Sequence, residues 1–253
     1  MTCKVEVLFT PAEFRTLRER DLSRTTCVVF DVLRATSTIV TALAAGASGI
    51  IPVSEIAEAL AWRRRQPGVL LAGEREGRRI RAVQAEGVEF DLGNSPREFV
   101  REAVAGKLVV STTTNGTRAF QACIGAEEIV VGSFLNLSAT VKYLASRPRE
   151  RLCLVCAGTG EGAALEDTLA AGAMCDQQAS LKPAVQLEDS AVIARWAFRH
   201  ARRNLTDALG QSSNARRLLS LPELNDDVEF CIQQDAFDFV AASDADGLLR
   251  RLP

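Results

Sequence analysis

The strongest constraint on the fold is a single switch in pattern. Thr26-Cys27-Val28-Val29-Phe30 is a short apolar, β-branched run that breaks at Asp31 into Arg34-Ala35-Thr36-Ser37-Thr38, after which Ile39, Val40, Leu43 and Ala44 follow at helical spacing. The run reads as a buried strand that hands over to a helix. In a parallel sheet, residues at such a junction face the crevice beyond the carboxyl ends of the strands, where the free amides of the helix start can hold an anion. Asp31 offers an oxygen ligand or a base, Arg34 a forked cation, and Thr36, Ser37 and Thr38 hydroxyl donors. The set suits a phosphate and a divalent metal, although the same residues also make ordinary helix caps. Recurrence favours the functional reading. Ser111-Thr112-Thr113-Thr114-Asn115-Gly116-Thr117-Arg118 follows the run Leu108-Val109-Val110, and Ala157-Gly158-Thr159-Gly160-Glu161-Gly162 follows Leu152 to Cys156.

Strand-like and helix-like segments alternate along almost the whole chain, the pattern of an α/β protein with a mostly parallel sheet. Further strands are expected at Lys4 to Phe9, Gly49 to Val53, Val69 to Gly73 and Glu128 to Gly132. Ser95-Pro96-Arg97-Glu98 reads as a capping box with proline at the first helical position, opening a helix that runs to about Val104. The charged, glycine-punctuated residues 76 to 90 read as a surface loop with room for a short strand. Val192, Ile193 and Trp196 form one stripe of a late helix, and Asp235 to Val240 reads as a last strand. The expectation is a single domain over residues 1–253, large enough for two lobes.

At 47% hydrophobic residues the chain can bury a substantial core, and with 30 basic residues interspersed among 32 acidic ones its formal net charge is -2. No basic tail or patch points to nucleic acid or to a membrane surface. The N-terminus, Met1 to Glu6, has no apolar signal core and no later apolar run could span a bilayer, so a cytoplasmic protein is expected. Seven cysteines, an odd number and mostly inside apolar runs, read as reduced small hydrophobes. Cys153 and Cys156 lie three apart in one strand, hence on opposite faces, which removes the zinc and redox readings of that C-x-x-C. His200 is the only histidine; beside Arg199, Arg202 and Arg203 it reads as a helix C-terminal cation.

Acidic residues gather at the same junctions: Asp31, Glu74, Asp91, Glu161, Glu166 and Asp167. Oxygen ligands without histidine favour Mg²⁺ over zinc. Arg34, Arg75, Arg97 and Arg118 stand beside them and suit a polyanionic phosphorylated substrate. Plainer readings exist for several. Gly158-x-Gly160-x-Gly162 is only a loose relative of a dinucleotide fingerprint, Glu166-Asp167 inside a helix is ordinarily a solvated pair, and Asp91 to Asn94 could be a simple turn. Asp31 is placed like the nucleophile of haloacid-dehalogenase-type phosphatases, but the second Asp of that motif is replaced by Leu33.

The strings Asp31-Val-Leu-Arg-Ala-Thr-Ser-Thr38, Gly73-Glu-Arg75, Phe90-Asp-Leu-Gly-Asn-Ser-Pro96, Thr112-Thr-Thr-Asn-Gly-Thr-Arg118, Gly132-Ser-Phe-Leu-Asn136, Cys156-Ala-Gly-Thr159, Leu165-Glu-Asp-Thr-Leu169 and Asp227-Val-Glu-Phe-Cys231 together resemble the 2-phosphosulfolactate phosphatase (ComB) family, in order from about residue 4 to 240. The resemblance implies an α/β/α architecture and a Mg²⁺-dependent hydrolase that converts (2R)-2-phospho-3-sulfolactate to 3-sulfolactate and phosphate, a step toward coenzyme M. The chain departs from the family pattern in a longer, more basic segment between Arg75 and Phe90, and in Asn214 where a His-Gly-like pair is expected.

With that resemblance in place, Asp31, Arg34, Glu74, Asp91, Arg118 and Asp167 are the expected catalytic set. Mg²⁺ is expected on Asp31 with one or more of Glu74, Asp91, Glu161 and Asp167. Thr36, Ser37, Thr38, Arg75, Asn94, Thr113, Thr114, Asn115, Gly158 and Thr159 are expected to line the phosphate, while Arg34 and Arg118 neutralise charge developing in transfer. Attack by a metal-polarised water and an aspartyl-phosphate at Asp31 both remain open. Two rival functions stand beside this one: a phosphatase for another phosphorylated hydroxy acid, and a non-catalytic sensor of phospho-ligands. A homodimer is the default expectation for assembly.

Overall fold

The computed structural model describes residues 2–182, 184–244 and 247–252; Met1, which opens the N-terminal stretch read above, lies outside them. Eleven strands form one sheet: β1 (Lys4–Leu8), β2 (Thr25–Phe30), β3 (Gly49–Pro52), β4 (Leu70–Arg75), β5 (Arg78–Arg79), β6 (Leu108–Thr112), β7 (Glu128–Gly132), β8 (Arg151–Cys156), β9 (Gln186–Leu187), β10 (Ala241–Ser243) and β11 (Leu249–Arg251), in the order β5-β4-β6-β3-β11-β10-β7-β2-β8-β1-β9. Two blocks are parallel internally, β4-β6-β3 and β7-β2-β8-β1-β9. The hairpin β10-β11 joins them through antiparallel pairings to β7 and to β3. Three successive antiparallel steps reverse direction three times, so the two parallel blocks point in opposite senses along the ladder.

Helices follow the strands: α1 (Phe14–Arg18), α2 (Ala35–Ala44), α3 (Ile56–Arg65), α4 (Arg101–Val104), α5 (Gly116–Ala122), α6 (Leu137–Ala145), α7 (Leu165–Leu181), α8 (Asp189–Ala201), α9 (Leu205–Gly210), α10 (Ser213–Leu219) and α11 (Asn225–Cys231). They cover both faces, giving three layers. Period-two alternation along β2 sends Val28 and Phe30 against Leu137 and Val141 of α6 and Leu169 and Met174 of α7. Cys27 and Val29 pack the other way, with Ile39 and Val40 of α2 and Phe120 of α5. Every residue of β2 is buried, and each such apolar side chain contributes about 1.5–3 kcal/mol relative to exposure. The same alternation in β8 puts Cys153 in one layer and Cys156 in the other, and all seven cysteines are free and buried. Among the described residues no helix is long and apolar enough to cross a membrane.

Three expectations are corrected. The segment after Ser95 is a 3₁₀ turn at Pro96–Glu98 and a separate α4, because Phe99 and Val100 leave helical geometry. Ser95 does not cap it: its hydroxyl donates to Asp227, and Glu98 accepts from the Gly93 amide. Residues 235–240 form no strand; Asp235 and Phe237 donate their amides to the Phe134 and Leu135 carbonyls, and the strand comes at β10. On α8 the buried stripe is Ala191 and Ala194, whereas Ile193 and Trp196 are exposed. Small residues face α7 because a Cβ on Gly172 would lie 2.1 Å from the Ala194 carbonyl oxygen, so the two helices pack backbone to backbone. His200 lies in the last turn of α8 and is exposed.

Candidate active site

The three polar junctions do converge, but not along one sheet edge: those after β2 and β8 come from one parallel block and that after β6 from the opposed one. Contacts between blocks tie them together. Arg34 donates to the Gly77 carbonyl at 2.7 Å, Thr38 to the Asn94 carbonyl at 2.9 Å, and Arg118 to the Gly160 carbonyl at 3.3 Å. Between them lies a cleft of about 420 Å³ whose walls include Asp31, Glu74, Asn94, Thr113, Asn115 and Thr159.

Asp31, directly after β2, is nearly buried, and its Oδ1 accepts from the Ala35 amide at 3.1 Å while its Oδ2 accepts no hydrogen bond among the described residues. Burial pushes its carboxyl up to about 7, with the nearby Glu74 and Glu166 carboxylates adding to the rise and the Ala35 amide and Arg34 opposing it. Glu74 at the end of β4 accepts from the Gly77 amide at 2.6 Å and the Thr114 amide at 2.8 Å, which fixes its carboxylate beside the 113–115 turn. In that turn Thr113 Oγ1 and Asn115 Oδ1 are buried without a hydrogen-bond partner among the described residues. Buried orphan oxygens are costly, and a group that binds there would satisfy them. A Cβ on Gly116 would sit 2.8 Å from Asp31 Oδ2 and 3.2 Å from Thr113 Oγ1, so only glycine lets the turn approach the carboxylate this closely.

Asp167 and Glu166 both prove buried, against the ordinary reading of a helical acidic pair, and they hold loops in place. Asp167 accepts from the Val32 amide at 2.8 Å and the Gly158 amide at 3.1 Å, bracing the β2 and β8 junctions; burial and the Glu166 and Asp31 carboxylates raise its pKa. Glu166 accepts from Ser212 Oγ at 2.5 Å and Asn214 Nδ2 at 2.7 Å, and Asn214 also reaches Thr159 Oγ1 at 2.7 Å. These bonds fasten α10 to the site.

Other expected residues take different places. Asp91 is turned away, ion-paired with Arg63 and accepting from the Leu71 amide near the start of β4. Glu161 is exposed and paired with Arg118 at 2.9 Å. Neither joins Asp31 and Glu74, and among the described residues no three acidic, histidine or cysteine side chains form a ready-made metal cage. Thr36 accepts from the Asp31 amide, Ser37 donates to the Val32 carbonyl and Thr38 to Asn94, so these three hydroxyls shape the junction and do not line the cleft. Arg34 lines the cleft but is held at 2.6 Å by Asp227, a fully buried carboxylate on α11 that also accepts from Ser95 and Arg97. Arg75 spans from the Glu74 carbonyl to Thr112 Oγ1. The hub roles of Asp227 and Glu166 escape sequence reasoning, since each partner lies more than forty residues away; Asp227 was signalled only by the string it opens.

The oxygen set fits a small hard cation: Asp31 and Glu74 as carboxylates, with Thr113 Oγ1 and Asn115 Oδ1 as neutral donors, is the one-or-two-carboxylate environment in which Mg²⁺ keeps water and substrate oxygens as its other ligands.

A family model described as 2-phosphosulpholactate phosphatase matches residues 12–245. A protein of Thermotoga petrophila named "Probable 2-phosphosulfolactate phosphatase" is 48% identical over 215 residues, 85% of this chain and 87% of the relative. One of Thermotoga maritima with the same name is 47% identical over 217 residues, 86% and 88% of the two chains. One of Pseudothermotoga lettingae, again so named, is 38% identical over 250 residues, 98% of this chain and all of the relative.

Proposed function

The chain belongs to the 2-phosphosulpholactate phosphatase family, and from that membership we propose that it hydrolyses 2-phospho-3-sulfolactate to 3-sulfolactate and inorganic phosphate, with Mg²⁺ as cofactor, as the step toward coenzyme M that this substrate belongs to. The observation that carries the reading is the pairing of a carboxylate with a free oxygen, Asp31 Oδ2, and two orphaned buried oxygens across Gly116, on the wall of an open polar cleft. Such a site accommodates a phosphoryl group and an ion.

Asp31 and Glu74 would hold Mg²⁺, which when bound supplies positive charge to the phosphoryl oxygens. The Thr113 hydroxyl would donate to a phosphoryl oxygen beside it, and Asn115 Oδ1 would add a neutral oxygen to the ion. Asp31, anchored through Oδ1, would meet the ion through Oδ2, and the attacking water would release its proton to solvent. Water's oxygen bonds to phosphorus as the bond to the ester oxygen breaks, and the sulfolactate hydroxyl leaves with a solvent proton. Arg34, fixed by Asp227, contributes charge from a rigid position. The free, buried cysteines support a cytoplasmic location.

The test is phosphate release from racemic phosphosulfolactate beside a panel of phosphorylated hydroxy acids, with Mg²⁺ and with chelator. Metal-dependent turnover strongest on phosphosulfolactate is expected. Preference for another acid would replace the substrate, and no turnover on any ester would overturn the enzyme reading.

A further inference from the structure

Next to the cleft, and sharing Arg34, Arg75, Gly77 and Asn94 with it, opens a second hollow of about 900 Å³ on the 76–84 hairpin side. Six arginines and three glutamates line it. Some of that charge is already spent within the fold: Arg34 and Arg97 on Asp227, and Arg81 on Glu89. Arg79 gives one N–H to the Asp91 carbonyl and acts through its charge on the exposed Glu89, and the Arg78 side chain has no ion pair or hydrogen bond among the described residues. Arg217 of α10 comes from the opposite side and likewise has none, although it lines the cleft itself. It does not trail in solvent at random: its Cζ lies 3.9 Å from where a Cβ of the buried Gly77 would be, and an Arg34 nitrogen lies 4.0 Å from the same point. Gly77, at φ +81°, is the turn that fastens Glu74 through its amide and Arg34 through its carbonyl. Arg78 and Arg79 line the hollow and Arg217 the cleft, on either side of Arg34, Gly77 and Asn94, which line both. Guanidiniums left without carboxylates at a cleft mouth fit planar oxyanions in a forked, two-bond contact.

We propose that Arg78, Arg79 and Arg217 form a second anion subsite that binds a carboxylate or sulfonate of the substrate while its phosphoryl group lies at Asp31, so that the enzyme selects polyanionic esters over simple ones. The subsite rests on the phosphatase reading. Glu76, which lines both spaces, is the carboxylate nearest in sequence to these arginines, and a bound anion displaces no existing ion pair of Arg78 or Arg217.

The experiment compares the wild type, the double variant Arg78→Ala/Arg79→Ala and Arg217→Ala on phosphosulfolactate and on p-nitrophenyl phosphate, which lacks a second anion. Loss of charged contacts is expected to raise KM for phosphosulfolactate about tenfold or more with kcat within about twofold, and to leave p-nitrophenyl phosphate kinetics unchanged. The variant Arg78→Lys/Arg79→Lys recovers part of the KM. Parallel losses on both esters, or no change on phosphosulfolactate, would overturn the subsite. If the wild type turns over neither ester, the phosphatase reading fails by itself. Calorimetric binding of inorganic pyrophosphate then decides the subsite: weaker binding by the double variant supports it, and equal binding refutes it.

Discussion

Asp31→Asn tests whether the site is bought at the expense of stability. In the native protein the Asp31 carboxyl is raised from an ordinary 3.8 to about 7 by burial, so the folded state holds a proton that the unfolded chain releases. For an acid raised in this way, stability is fully present below the unfolded value and is lost as pH rises toward the folded value. At about 1.4 kcal/mol per tenfold change in ionisation, the loss is about 1.5 kcal/mol at pH 5 and about 4 kcal/mol at pH 8. Asparagine keeps an oxygen for the Ala35 amide and places an N–H₂ toward the Glu74 and Glu166 side, with no proton to release. Its fixed packing differences are the same at both pH values and cancel in the comparison. In chelator, the stabilisation of the variant over wild type should therefore grow by about 2.5 kcal/mol between pH 5 and pH 8, or about 5–10 °C in melting temperature for a chain of this size. Thermal denaturation at both pH values measures it. A difference that stays constant with pH, or one that moves against the variant between pH 5 and pH 8, would refute the argument. Added Mg²⁺ should shrink the gap, because an ion favours the ionised carboxylate of the wild type.

Asp31→Asn should also abolish metal-dependent phosphate release while circular dichroism stays native. Arg34→Met leaves the fully buried Asp227 short of one cationic partner and should cost about 3 kcal/mol in urea unfolding, whereas Arg97→Met, whose side chain is partly exposed, should cost clearly less. Gly116→Ala drives a methyl to within 2.8 Å of Asp31 Oδ2, and should reduce kcat far more than it lowers the melting temperature. Gly172→Ala sets a methyl against the Ala194 carbonyl and should destabilise by about 2 kcal/mol or more, with KM unchanged in whatever enzyme remains folded.

Much of the layered fold is legible in the sequence because β2, β7 and β8 are short apolar runs buried on both faces, and no helix pattern competes with them. The apolar run Glu128 to Gly132 coincides with β7. The hairpin β10-β11 leaves no sequence signal because three-residue strands carry no periodicity, and the more apolar stretch before it, with Phe237 and Phe239, has the stronger strand pattern. The α8 stripe failed because helix contacts there depend on small residues at a close crossing, while hydrophobicity marks the exposed Trp196. At the site, residue types at the strand ends were readable but their partners were not. Asp31, Glu74 and the 113–115 turn come together, whereas Asp91 has the right chemistry and neighbours but is consumed by Arg63 and the Leu71 amide. The hydroxyls of Thr36 and Ser37 are likewise spent inside the junction, and that of Thr38 on the Asn94 carbonyl of the opposed block. Long-range polar pairings such as Glu166 with Asn214 leave no local mark in a single sequence.

The placement of β10-β11 bears on how the molecule comes to be assembled. The two strands lie at the centre of the sheet, between β3 and β7, yet of the eleven described strands they are made last. On a ribosome the two parallel blocks can each collapse early, but their inner edges stay unpaired until residue 251 has emerged. Until then each open edge is a template for another nascent chain, and closure of the sheet depends on a contact that spans about 200 residues, from Leu249 to Ile50.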